Sequence, residues 1–164
     1  MIITTLNRIR VHDPCADGWS KLLKHLSKSK ADDEPLPYAV ILESNGLDDT
    51  TWCCRAEPQY TKEWRLYAVW CARQVQHLMR DERSIHALDV AERHAHGEAS
   101  DDELAEAAGA ARAAAGAAAE AAAWSAGAAV GAVGAAAKVA EEAKQTEEFL
   151  RIVNGGNADD NNDA

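Results

Sequence analysis

The sequence predicts an all-α protein in which an N-terminal bundle of short helices precedes long alanine-rich helices. Two observations lead to this prediction. Apolar side chains recur every three or four residues in short segments separated by proline, glycine or asparagine, which is typical of amphipathic helices. Residues 104–140 consist mainly of alanine, the residue with the highest helix propensity. Residues 38–42 are also compatible with a strand, but no partner strand is evident in the sequence, so helix is favoured there.

Residues 1–60 are predicted to form the short-helix region. Thr4 or Thr5 caps the first helix. Asp13 and Pro14 predict the N-cap and the first helical position of the second helix, because proline has no N–H to leave unpaired there. This second helix runs to about residue 27, with an apolar side that comprises Trp19, Leu22, Leu23 and Leu26.

Two further helices are predicted within this region. One covers residues 37–44 and ends at the pair Asn45–Gly46, which suits the left-handed conformation that often terminates a helix. The chain restarts as a helix at Asp48 or Asp49 and stops at Pro58.

Residues 61–153 are predicted to form a helical array. Thr61 caps a helix over residues 62–80, and Ser84 opens the next helix. The apolar line of the first helix is predicted to be Trp64, Ala68, Cys71, Val75 and Leu78, widened by Tyr67 and Trp70. Residues 154–164 are predicted to form a disordered acidic tail, because they are polar and carry no large apolar side chain.

A capping box of Ser100 and Glu103 is predicted to start the long alanine-rich helix. Gly127, Gly131 and Gly134 each weaken a helix by about 1 kcal/mol relative to alanine. The sequence therefore leaves open whether this helix is continuous or broken into a hairpin near these glycines. The larger apolar side chains that follow are expected to dock the helix end onto the core; they are Val139, Phe149, Leu150, Ile152 and Val153.

The bulky side chains lie mainly before residue 96, so the core is expected in the N-terminal half. It is predicted to be built around four tryptophans, Trp19, Trp52, Trp64 and Trp70. The four cysteines have no framework spacing and follow no secretory signal. They are interpreted as reduced, mostly buried residues of a protein in the cytoplasm of a bacterial host.

The net charge of −10 disfavours direct binding of nucleic acid, since a polyanion repels an acidic surface. Residues 121–137 carry no charge but are only weakly apolar, so insertion into a membrane is not expected. Charge is also uneven along the chain. Residues 1–30 contain six basic and two acidic side chains, whereas residues 101–164 contain four basic and twelve acidic ones.

No catalytic, metal or cofactor motif is found. His94 and His96 are two residues apart, and on a helix they point in nearly opposite directions, so they do not suit a shared metal ion. No cysteine or histidine pairs have zinc-site spacing, and no phosphate-binding glycine motif occurs. We therefore expect a protein that is not an enzyme and that requires no metal or cofactor.

Residues 63–75 (EWRLYAVWCARQV) and 84–100 (SIHALDVAERHAHGEAS), followed by the alanine array, resemble a family of bacterial and phage-borne immunity proteins with an alanine-rich C-terminal helical array. Residues 41–49 (ILESNGLDD) are similar to segments of phage and prophage proteins. The resemblance covers residues 1 to about 140 and implies a helical module that occludes another protein. A phage-borne member equally suits antagonism of a host defence complex, including an anti-CRISPR role.

The function expected from these observations is that of a protein-binding inhibitor, either an immunity protein or a phage-encoded counter-defence protein. Its partner is expected to be another protein, in particular a basic nucleic-acid-binding protein or complex, because carboxylates can take the place of phosphates. The predicted partner contacts are Asp101, Asp102, Glu103, Glu106, Glu141, Glu142, Glu147 and Glu148. The alternative is a structural module that self-associates as a homodimer through Gly127, Gly131 and Gly134, where small residues allow close helix contact.

Overall fold

The computed structural model describes residues 1–74, 76–125 and 133–155, and their side chains except at position 78 and in 115–125 and 133–140. The helices are α1 (Leu6–Arg10), α2 (Ala16–His25), α3 (Tyr38–Asn45), α4 (Leu47–Cys53), α5 (Thr61–Gln74), α6 (Glu82–Ala95), α7 (Asp101–Ser125) and α8 (Val133–Val153). Strands β1 (Ile3–Thr4) and β2 (Leu36–Pro37) pair antiparallel, with Ile3 opposite Pro37 and Thr4 opposite Leu36. The all-α fold class is confirmed for the described residues.

The chain folds into two compact units. Unit 1 comprises Met1–Thr61 and the chain from Glu142 onward, and unit 2 comprises Lys62–Glu141. Unit 1 thus combines α1 to α4 with the C-terminal part of α8, although about 80 residues separate these segments in sequence.

The centre of unit 1 is the contact between α3 and the end of α8. Tyr38 and Phe149 are both fully buried, and their ring centroids lie 6.3 Å apart. The Tyr38 hydroxyl donates to the Cys53 carbonyl at 2.9 Å, and burial raises the pKa of this phenol above its usual range. Ile152 and Val153 are buried alongside. The prediction that the last large apolar side chains dock the helix end onto the N-terminal core is confirmed for these residues.

An ion pair between a buried carboxylate and a half-exposed guanidinium also stabilises unit 1. Glu57 is 1% exposed, and its Oε1 lies 2.9 Å from Nε of Arg8 on α1. The same Nε donates to the Ala56 carbonyl, and Gln59 donates to the second carboxylate oxygen of Glu57. A carboxylate is buried at tolerable cost only when it is paired and hydrogen-bonded in this way.

The beginning of α2 differs from its prediction. Asp13 has a left-handed backbone, with φ of +52°, and Cys15 occupies the N-cap position, where its sulfur accepts a hydrogen bond from the Gly18 N–H at 3.4 Å. Asp13 is therefore not the N-cap. Of the predicted apolar side of α2, Leu22 is fully buried and the other three side chains are half-buried.

The neighbouring caps follow the sequence more closely. Thr5 caps α1 by accepting from the Arg8 N–H at 3.2 Å. Gly46 ends α3 with φ of +88°, a conformation that glycine adopts without a Cβ clash. Helix, rather than strand, is confirmed at residues 38–42, whereas the two-residue strand Leu36–Pro37 just before them was not predicted.

In unit 2, α6 packs along α7, and α5 is shorter than predicted. Helix α5 ends at Gln74, and its buried residues are Leu66, Tyr67 and Val69. The predicted apolar line of this helix was wrong at Ala68, which is exposed, and at Trp64 and Cys71, which are only half-buried, while the side chains of 75 and 78 lie outside the description. Of the two residues predicted to widen it, Tyr67 is buried and Trp70 is half-buried.

The next helix, α6, starts two residues earlier than predicted. Asp81 is its N-cap and accepts from the Arg83 N–H at 2.9 Å, so Ser84 does not open it.

The expected core of four tryptophans is likewise wrong: Trp19, Trp52, Trp64 and Trp70 are all half-buried rather than central.

Candidate protein-binding surfaces

The start of α7 carries the first predicted acidic cluster, and its capping box is present. The Ser100 N–H donates to Glu103 Oε2 at 2.8 Å, and the Glu103 N–H donates to Ser100 Oγ at 3.2 Å. The backbone hydrogen bond from Ser100, together with its hydroxyl, holds the pKa of Glu103 below its usual range. Arg93 lies 3.4 Å from the same carboxylate. Glu103 is therefore exposed but already engaged within unit 2.

Asp101 is also exposed but engaged. Its Oδ1 lies 2.7 Å from Nε2 of His94, and the other ring nitrogen of His94 contacts Arg65 of α5. The side chain of Asp101 is nevertheless 97% exposed, so one carboxylate oxygen still faces solvent. This contact makes Asp101 part of the link between α6 and α7.

Asp102 and Glu106 form the uncompensated part of the cluster. Both are exposed, and within the described residues neither carboxylate receives a hydrogen bond or lies in an ion pair. They are four residues apart on one helix and so lie on the same face. Two like charges at this spacing destabilise a helix by about 0.2–0.5 kcal/mol. The helix dipole offsets this cost for Asp102 in the first turn, but much less for Glu106.

Two other acids of unit 2, Asp89 and Glu92, are neutralised internally. One guanidinium nitrogen of Arg73 on α5 lies 2.7 Å from carboxylate oxygens of both Asp89 and Glu92 on α6. Arg93 lies four residues after Asp89 on α6, a spacing that allows a pair on the same helix, but Asp89 is paired with Arg73 on α5. Because these acids are paired, the charge that unit 2 presents to a partner is more localised than its composition indicates.

The second predicted acidic cluster is divided by burial. Glu142 and Glu147 are exposed, whereas Glu141 is half-buried and makes its own electrostatic contact. Glu148 is 5% exposed, and its two oxygens receive hydrogen bonds from Arg151 at 2.7 and 2.9 Å. Glu148 therefore lies in the core of unit 1, away from any surface that a partner reaches.

The glycine surface predicted for self-association lies largely outside the described residues. This applies to Gly127 and Gly131, and also to most of the stretch where a helix break was left open. Gly134 is the second residue of α8. The tail prediction for residues 154–164 falls outside the description after residue 155.

No group of three or more His, Cys, Asp or Glu side chains in the described ranges is arranged to hold a metal ion. None of the described helices combines the length and apolarity needed to cross a membrane.

Unit 1 contains a cleft that sequence reasoning missed. It has a volume of about 120 Å³ and lies among α1 to α4, with walls that are mainly apolar and include Trp19 and Trp52. Asn45 and Asp49 supply polar groups to the lining. A Cβ added at Gly18 would lie 2.7 Å from Asp49 Oδ2, so a larger residue there would require this carboxylate to shift. The sequence signal for this cleft was the presence of tryptophans on two short amphipathic helices. Such tryptophans can line a cleft as well as fill a core, but the prediction placed them in the core.

Comparisons with protein-family models, curated proteins and solved structures find no match to this chain.

Proposed function

We propose that this chain is a non-enzymatic inhibitor that binds a basic surface of another protein through the start of α7. The observation that carries this proposal is the exposed pair Asp102 and Glu106, which no cation in the described residues neutralises. The neighbouring acids Asp89, Glu92 and Glu103 are engaged internally, so an uncompensated pair on one helix face stands out from them.

The physical reason is electrostatic steering. A localised negative patch on a chain of net charge −10 accelerates encounter with a basic surface and fixes its orientation. Nucleic-acid-binding proteins carry basic surfaces of this kind, because they neutralise phosphates with lysine and arginine. An inhibitor with carboxylates at the start of a helix would occupy such a surface and exclude the nucleic acid.

The class of partner rests on the resemblance of residues 63–75 and 84–100 to immunity proteins. On that basis we place the partner among bacterial toxins or host defence complexes, including nucleic-acid-guided ones, and the chain among immunity or phage counter-defence proteins. A toxin gene next to the gene for this chain would favour the first of these roles, and neighbouring phage genes would favour the second.

The first experiment is capture of the partner by the tagged chain from a bacterial host extract at low and moderate salt, followed by mass spectrometry. A stoichiometric partner that is released as the salt concentration rises, and whose purified activity the chain reduces, supports the proposal. Recovery of the chain's own copies alone favours the self-associating module instead.

The second experiment tests the surface. The double variant Asp102→Asn/Glu106→Gln removes two charges with little change of shape. Association with the purified partner should slow by roughly tenfold at low ionic strength and depend less on salt. The control is Asp33→Asn/Glu43→Gln, which removes two exposed charges from unit 1. Equal slowing by both variants would mean that net charge acts rather than this patch, and an unchanged rate in the first variant would remove α7 from the interface.

A further inference from the structure

The cleft of unit 1 has the size and walls for a single ring. Ile9, Leu22 and Ile41 line it together with Trp19 and Trp52, and its volume is about 120 Å³. An apolar protein cavity of roughly 150 Å³ holds one benzene molecule. This cleft is smaller but partly open to solvent, so a single six-membered ring is the largest ring system for which it has room. Tryptophan walls favour an aromatic occupant through stacked or edge-to-face contacts.

The polar groups of the cleft leave one acceptor unused. Asn45 Nδ2 donates both to the Gly18 carbonyl, at 2.9 Å, and to Asp49 Oδ2, at 2.8 Å. Asn45 Oδ1 accepts from the Ser44 hydroxyl at 2.7 Å, and the Cys15 sulfur accepts from the Gly18 N–H. Within the part of the chain that the structure describes, no donor reaches Asp49 Oδ1. Because Asp49 lines the cleft and retains this acceptor, the cleft suits an occupant with one hydrogen-bond donor.

The charges around the cleft favour a neutral donor over a cation. The guanidinium of Arg10 lies over the Trp19 ring, 5.3 Å from its centroid, and that of Arg55 lies over the Trp52 ring at 4.2 Å. Neither arginine lines the cleft itself. Two positive charges held on its tryptophan walls oppose entry of an ammonium group, although Asp49 alone would attract one. A hydroxyl on an aromatic ring avoids this repulsion and makes a charge-assisted hydrogen bond to the carboxylate.

We propose that this cleft binds the phenol ring of a tyrosine side chain from a partner protein, with the tyrosine hydroxyl donating to Asp49. The volume holds one ring and little else, which suits a side chain better than a larger free ligand. Tyrosine is enriched at the centres of protein interfaces, and so are the tryptophan and arginine that surround this cleft. The inference is independent of the acidic pair on α7, because every residue of the cleft belongs to unit 1.

The test uses the full ¹⁵N-labelled chain titrated with N-acetyl-tyrosinamide and, in parallel, with N-acetyl-phenylalaninamide, which lacks only the hydroxyl. The tyrosine amide should produce saturable shifts of the Gly18 amide and of the Trp19 and Trp52 indole N–H signals. Its dissociation constant should be about tenfold lower than that of the phenylalanine amide, since hydrogen bonds to charged groups typically contribute at least this much. In Asp49→Asn the preference should fall to about twofold or less, whereas Asp48→Asn, an exposed acid outside the cleft, should retain it.

Equal dissociation constants for the two amides in the unsubstituted chain would overturn the proposal without reference to any variant. So would an absence of saturable shifts at the cleft, or an equal loss of preference in Asp48→Asn and Asp49→Asn. Free phenol serves as a further probe. Saturable binding of phenol without binding of the tyrosine amide would make the cleft a small-molecule site and would also overturn the assignment to a partner's side chain.

Discussion

Substitution of Phe149 tests whether the end of α8 is an integral part of unit 1. The side chain is 0% exposed and packs 6.3 Å, centroid to centroid, from the ring of Tyr38. Phe149→Ala removes the six buried ring carbons and their contacts, at a cost on the order of 3–5 kcal/mol for a phenylalanine truncated in a packed core. The aromatic pair with Tyr38, worth about 0.5–1.5 kcal/mol, is one part of this loss. We therefore expect a destabilisation near the middle of the range, about 4 kcal/mol. A domain is usually stable by only about 5–15 kcal/mol, so this loss is readily measured.

The assay is urea denaturation followed by circular dichroism, with amide hydrogen exchange as a local probe. The Ile2 amide is informative because it donates to the Val153 carbonyl, at the point where the N-terminus meets the end of α8. Its exchange should accelerate strongly in Phe149→Ala. Phe149→Leu, which keeps most of the volume, should cost about 1 kcal/mol, and Glu147→Ala on the exposed side should stay within about 0.5 kcal/mol. A cost below about 1 kcal/mol for Phe149→Ala, with Ile2 exchange unchanged, would refute the packing of α8 into unit 1.

Three further predictions concern single contacts. Arg8→Met should destabilise unit 1 by about 3 kcal/mol in urea denaturation, because it leaves Glu57 buried without its cation. Adding Glu57→Gln should recover part of this loss. A change in unfolding free energy within error of zero for Arg8→Met would contradict the prediction. Hydrogen bonds from the Arg83 side chain and backbone lower the pKa of Asp81 to about 2. The stabilisation that the ionised Asp81 gives to the start of α6 should therefore be complete above about pH 4 and lost as the pH falls through about 2. An NMR titration of the Asp81 carboxyl with a midpoint near pH 4 would contradict this prediction. Iodoacetamide at pH 7.5 should modify the exposed Cys15 well before the buried Cys53, because burial raises the pKa of the Cys53 thiol to about 12. The order is read by peptide mass mapping, and modification of Cys53 first would contradict the burial of this thiol.

The features that the sequence predicted well are those decided within a few residues. The cap at Thr5, the left-handed Gly46 and the reciprocal hydrogen bonds of Ser100 and Glu103 all depend on side chains next to the backbone groups that they satisfy. Alanine propensity likewise suffices for α7 as a helix. Local chemistry of this kind does not depend on which distant segment packs nearby.

Other features were missed, and two of these depended on distant partners. Cys15 replaces Asp13 as the cap of α2, since the left-handed backbone at Asp13 turns the chain before the helix starts. Asp89 pairs with Arg73 across two helices, although Arg93 was the nearer candidate in sequence. The side of α5 that is buried depends on what covers the helix, and helical spacing alone included the exposed Ala68 while it left out the buried Leu66 and Val69.

The candidate site was predictable in its charge but not in its detail. Composition identified both acidic clusters, yet it could not distinguish Glu148, which is buried against Arg151, from the exposed Glu147 beside it. Nor could it show that Asp101 and Glu103 are engaged while Asp102 and Glu106 are not. This distinction needs the position of α6, because His94 and Arg93 on that helix supply the partners.

The two proposed surfaces differ in the physics of recognition, and this difference makes them separable. The Asp102 and Glu106 pair acts at long range, so its contribution should appear in association rates and should weaken as salt screens it over a Debye length of about 8–10 Å. The cleft acts by contact with Trp19, Trp52 and Asp49, so its contribution should appear in dissociation rates and should change little with salt. A partner that uses both surfaces should lose association rate in Asp102→Asn/Glu106→Gln and residence time in Asp49→Asn. Because the described side chains of the two surfaces share no hydrogen-bond or ion-pair partner, the two free-energy losses should add in the combined variant.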